Sequence, residues 1–104
     1  MSKNFTKEEM KVVEKFQQKA KIIDVSINAF VLKMREKMYN NIHKMLWKEC
    51  KYGYLFKKLL EATEKLAKAI VNYEKENIIK ESVDIANYAM MLSDIAEDDG
   101  VIKK

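Results

Sequence analysis

The chain has 104 residues, with 20 Lys and Arg against 16 Asp and Glu, no proline, two glycines and one cysteine. That length supports a single domain with a modest core, the 48% apolar content argues against disorder, and the lack of breakers favours an all-α chain with few turns. No apolar run is long enough for a signal peptide or a membrane span, and Cys50 alone cannot make an internal disulfide, so the expected location is cytoplasmic.

Apolar residues recurring at about 100° per residue predict four helical stretches within one domain spanning residues 1–104. The first starts after Thr6, an N-cap with Glu9 as its capping-box partner, and carries Met10, Val13, Phe16 and Ala20. It reads as a peripheral helix over residues 1–23, ahead of a core over 24–99. The second runs from about Asp24 to Trp47, with Ile27, Phe30, Val31, Met34, Met38, Ile42 and Met45 in one stripe, and no breaker separates it from the first. Gly53, in "CKYGYLF", is the expected turn. A third helix follows from roughly Leu55 to Tyr73, "NYEKEN" connects, and a fourth covers about Asn77 to Glu97 with Gly100 as terminator. The short connection predicts that helices three and four form an antiparallel hairpin.

Charge is unevenly spread. Residues 1–60 carry 14 basic and 6 acidic side chains, whereas 61–104 carry 6 and 10. Such a division suits phosphates at one end and a divalent metal at the other, or simply a lysine-rich surface. No helix-turn-helix spacing or aromatic-basic interleaving accompanies it, which argues against a nucleic-acid partner.

The carboxylates of the last two helices are the candidate chemistry. Glu61 and Glu64 in "EATE" lie one turn apart on one face, among Lys57, Lys58, Lys65 and Lys68; alone they read as a solvated strip, with Leu59, Leu66 and Ile70 on the opposite face. Glu81 instead sits inside the apolar stripe Ile78, Ile85, Tyr88, Leu92 and Ile95, and Asp84 lies one turn from Tyr88 and Met91. Val83, Ala86, Ala89 and Met90 cover the rest of that helix, so it should be central. A buried carboxylate costs several kcal/mol unless it is paired with a cation, bound to metal or protonated. Either lysine partners or an all-oxygen site for Mg²⁺, with Mn²⁺ as a second candidate, would resolve it. A four-acid site without His or Cys suits phosphoryl chemistry; the lone His43 reads as a surface residue.

Glu61-x-x-Glu64, sixteen residues, then Glu81-x-x-Asp84, resembles the metal-binding signature of the MazG-like all-α nucleoside triphosphate pyrophosphatases. "LLEATEKLAKAI" is similar to that family's first motif helix and "IIKESVDIANYAMML" to its second. "DIANYAMM", with "KYGY" upstream, resembles most a branch associated with phage nucleotide modification, and the resemblance covers about residues 30 to 97. It implies a four-helix MazG-like domain, assembled as a homodimer or homotetramer, that cleaves a nucleoside triphosphate, ribo or deoxyribo, to monophosphate and pyrophosphate. Glu61, Glu64, Glu81 and Asp84 would then be Mg²⁺ ligands and catalytic residues, one glutamate also taking a proton from the attacking water. Asn87 and Tyr88, one turn beyond Asp84, are candidate sugar or base contacts; Trp47, Lys48, Lys51 and Tyr54 are candidates for stacking and phosphate contact. Where that branch has a "KGGW"-like turn this chain has Tyr52 in place of a glycine, a departure that bears on base contacts more than on metal. The stripe from Ile27 to Met45 is the expected subunit interface. The competing expectation is a non-catalytic helical interaction protein that keeps the fold, with its acids in salt bridges.

Overall fold

The computed structural model describes residues 4–41 and 47–99, which form three α-helices, a 3-10 turn and no strand. The helices are α1 (Lys7–Asn40), α2 (Tyr52–Val71) and α3 (Lys75–Asp99), and the 3-10 turn is Trp47–Glu49. The chain divides into two compact units, Met1–Leu32 and Lys33–Lys104. The first and second expected stretches are therefore one helix, as the lack of a breaker between them allowed. None of its residues is buried.

The start of α1 is the predicted capping box: the Glu9 N–H donates to Thr6 Oγ1 at 3.1 Å and the Thr6 N–H to Glu9 Oε1 at 3.3 Å. Glu8 and Glu9 in the first turn also favour the positive end of the helix dipole. Its end falls at Asn40, short of the expected Trp47, because Asn41 turns back on the helix. The Asn41 amide nitrogen donates to the Lys37 carbonyl at 2.9 Å and its backbone N–H to Met38 O at 3.2 Å, closing the last turn. Ile42, His43 and Met45 lie outside the described residues, as does Gly100.

Gly53 is not the turn. It occupies the first turn of α2, whose N-cap is the extended Lys51, a residue that makes no side-chain cap bond. Glycine is a breaker only where the backbone needs its freedom, and here it is helical. The opposite end of α2 is a Schellman motif: the Glu74 N–H reaches Ala69 O at 2.9 Å and the Tyr73 N–H reaches Ile70 O at 3.2 Å. Tyr73, at φ 56°, fills the left-handed position that glycine usually takes. The helix thus ends at Val71, and α3 starts directly after Glu74.

This tight link folds α2 back along α3. Leu55, Ala62 and Ala69, one every two turns, are the buried residues of α2, with Leu59 and Leu66 half-buried between them. The two alanines let the backbones approach closely. Ile70, expected on this buried face, is instead exposed, because Ala69 holds the seam position. The central role expected of α3 holds: from Glu81 to Ala96 only Ala89 and Ser93 are exposed, and Val83 and Ile95 are fully buried. No helix among the described residues is long and apolar enough to cross a membrane.

Candidate functional site on the hairpin

Positions equally far from the Tyr73 turn face each other in an antiparallel hairpin. By this register Glu64 and Glu81, nine and eight residues from Tyr73, and Glu61 and Asp84, twelve and eleven residues from it, lie at nearly matching levels of the hairpin. The electrostatics of Tyr88 agree with that register. The Tyr88 residue is half-buried, and its pKa is raised above the ordinary tyrosine value by burial first and by the Asp84 carboxylate second. Glu61 and Tyr54 act in the same direction and Lys58 against it, so residues from both motif helices share its surroundings. Lys58 Nζ lies 5.7 Å from the centre of the exposed Tyr54 ring and 3.6 Å from Glu61 Oε2.

Asp84 faces a cation from α1. Lys37 Nζ is 3.6 Å from Asp84 Oδ1, and one turn away the Asn87 amide nitrogen donates to Met34 O at 3.3 Å. Both contacts lie within the second unit and fasten residues 34–37 of α1 along α3. Asn87 is almost wholly buried, and its Oδ1 has no hydrogen-bond partner. Acceptors left in that condition are uncommon in folded proteins.

Glu81 is 5% exposed, so the anomaly of an acid within an apolar stripe is real. Its cation is its own neighbour, Lys80, at 3.6 Å, and the lysine is itself mostly exposed. The same carboxylate borders an open groove of about 360 Å³ at the closed end of the hairpin, lined also by Lys65, Lys68 and Lys80. Glu74, Asn77 and Ala69 complete its walls. Glu64 is exposed on α2.

The upstream candidates separate. Trp47 and Lys48 are tied to the end of α3: the Trp47 indole N–H donates to Asp94 Oδ2 at 2.8 Å, and Lys48 Nζ lies 2.7 Å from Asp94 Oδ2 and 2.5 Å from Asp98 Oδ2. The two carboxylates push the Lys48 ammonium up to about 12, while Lys48, followed by the indole, holds Asp94 below the usual carboxylate range. No base stands in the last turn of α3, so Lys48 also supplies the positive charge that its carbonyl end favours. Lys51 and Tyr54 are exposed at the start of α2.

Asp94, Asp98 and Lys37 are the partners that sequence reasoning missed, whereas Lys58 belongs to the lysine strip expected beside Glu61. The one signal for the first two was the acidic end of the last helix opposite a basic upstream segment. Among the described residues, no three Asp, Glu, His or Cys side chains stand close enough together to hold a metal ion. Glu61, Glu81 and Asp84 each have a lysine within 3.6 Å instead. No protein-family model, curated protein or solved structure matches the chain. The resemblance therefore rests on the motif residues themselves.

Proposed function

We propose that the chain is a Mg²⁺-dependent nucleoside triphosphate pyrophosphohydrolase of MazG-like type, cleaving a ribo- or deoxyribonucleoside triphosphate to monophosphate and pyrophosphate. Such activity would serve nucleotide-pool sanitation or nucleotide modification in the cytoplasm. The observation that carries the reading is the burial of Glu81 beside an opposing acid-bearing helix. A carboxylate so placed costs several kcal/mol, and one exposed lysine offsets little of that. A hard, all-oxygen donor set suits Mg²⁺. Glu61, Glu64, Glu81 and Asp84 would hold the ion, with the lysines now paired to Glu61, Glu81 and Asp84 displaced onto substrate phosphates.

When bound, Mg²⁺ neutralises phosphate charge and lowers the pKa of a coordinated water. The chain's own contributions are then positional. Lys65, Lys68 and Lys80 around the groove offer point charges for a phosphate chain. Tyr54 and Tyr88 offer ring faces for a base, and one of the glutamates accepts the proton of the attacking water. Self-association into a homodimer or homotetramer belongs to the same reading.

The second reading is a non-catalytic helical interaction protein, favoured by the lysine pairing of three of the four acids. The test is pyrophosphate release from a panel of canonical and modified nucleoside triphosphates with Mg²⁺. Turnover that Glu81→Gln abolishes in a folded protein supports the enzyme. Turnover that survives the substitution removes Glu81 from the site, and no turnover with no Mg²⁺-dependent thermal shift leaves the interaction protein.

A further inference from the structure

Val13, Phe16, Ala20, Ile23, Ile27 and Phe30 follow one another at alternating steps of three and four residues. That spacing is the a/d pattern of a coiled coil, with Val13, Ala20 and Ile27 at a and Phe16, Ile23 and Phe30 at d. No residue of α1 is buried, and Phe16, Ile23 and Ile27 are 73%, 56% and 53% exposed. Val, Ile and Phe are mediocre helix formers, and a helix draws most of its stability from packing an apolar face. The seam therefore calls for a covering surface.

The flanking residues say which surface. Lys19 lies at g and Asp24 at e of the following heptad. A parallel two-fold pairing sets each g residue beside the e residue five positions further along the other helix, so Lys19 of each copy meets Asp24 of the other, twice per dimer. An antiparallel pairing that matches the same seam sets Lys19 near Ser26 and Asp24 near Gln17, with no ionic match.

We propose that the first unit's part of α1 forms a parallel two-stranded coiled coil with a second copy of this chain, through the Val13 to Phe30 seam and reciprocal Lys19 and Asp24 pairs. The seam shares Ile27 and Phe30 with the Ile27 to Met45 stripe but runs N-terminal of it, away from the turn of α1 whose Met34 carbonyl and Lys37 ammonium meet Asn87 and Asp84 of the same chain. It does not depend on the catalytic reading.

The test uses the full chain in sedimentation equilibrium across a concentration series. A dimer is expected. Ile23→Asp should give a monomer whose Trp47 fluorescence is unchanged, showing that the hairpin is still folded. Lys19→Glu should weaken the dimer several-fold, and adding Asp24→Lys should restore it. Ile23→Cys in a Cys50→Ser background should give a disulfide-linked dimer on oxidation, since d residues of parallel strands face their own counterparts. A monomer at all concentrations, a dimer indifferent to Ile23→Asp, no rescue by the double charge swap, or no cross-link through position 23 overturns the proposal.

Discussion

The Asp94 carboxylate accepts the Trp47 indole N–H at 2.8 Å while also facing Lys48, so one side chain of α3 holds the 3-10 turn at two points. Since Asp94 is held below its ordinary pKa, the stabilisation it gives is fully present above the unfolded value and is lost as pH falls through the folded one. Lys48 has the opposite sense: its contribution holds at neutral pH and disappears as pH rises through about 12. Trp47 is the sole tryptophan and reports on both. Its emission should shift to the red only as pH falls below the ordinary carboxylate range, and Asp94→Ala should show that shift already at pH 7. A neutral-pH spectrum unchanged by Asp94→Ala would mean that the turn is held by other contacts.

Tyr73 has its side chain on a left-handed backbone at the end of α2 and is almost wholly exposed there. An ordinary L residue gives up about 1–2 kcal/mol in that conformation and glycine does not. Loss of the exposed ring removes little packing. Tyr73→Gly should therefore stabilise the hairpin by about 1 kcal/mol in urea unfolding, after allowing for glycine's greater unfolded-state entropy. A destabilised variant would show that the ring contributes to the turn.

Local signals in the sequence were read correctly where a few neighbouring residues decide the outcome. The Thr6 and Glu9 capping box, the hairpin and the central position of α3 all follow from spacing and side-chain chemistry within one or two turns. Gly53 misled because a glycine marks a turn only when the backbone requires one, and here the helix has already begun at Tyr52. The ends of α1 and α2 were misplaced by side-chain and backbone closures at Asn41 and Tyr73 that periodicity does not register. At the site, burial of Glu81 was legible because an acid interrupted an apolar stripe. The lysine beside Asp84 and the acids facing Lys48 come from distant segments, and no local pattern names such partners.

Asn87 separates stability from function. Its amide nitrogen bonds Met34 O, which is already the acceptor of a helical N–H, and its Oδ1 has no partner. Leucine has a similar branched shape and removes both polar atoms together but is the larger side chain, so Asn87→Leu should cost about 1–3 kcal/mol, from overpacking rather than from the lost amide. Asn87→Asp would bury a charge one turn from Asp84 and should cost about 3 kcal/mol. If Asn87 contacts substrate, the leucine variant stays folded and raises KM; an unchanged KM assigns the residue to the α1 and α3 contact alone.

Lys37 competes with any cation for Asp84. On the catalytic reading, Lys37→Met should lower the Mg²⁺ concentration needed for half-maximal pyrophosphate release by about threefold to tenfold, since it removes a partly screened charge 3.6 Å from a proposed ligand. On the interaction-protein reading the same variant merely loses a salt bridge, and Mg²⁺ leaves its melting temperature where it was. Titrating Mg²⁺ against both activity and thermal stability distinguishes the two.

Ala62 and Ala69 have a consequence for how such a site can respond to a ligand. Methyl groups at these two positions leave no long side chain there to compress or swing aside, while Leu55, Leu59 and Leu66 fill the rest of the seam. Adjustment around a newly arrived charge then falls to the lysines, whose flexible four-carbon stems can exchange a carboxylate for a phosphate without moving the backbone. The scaffold is stiff where the acids are anchored and compliant where the cations are.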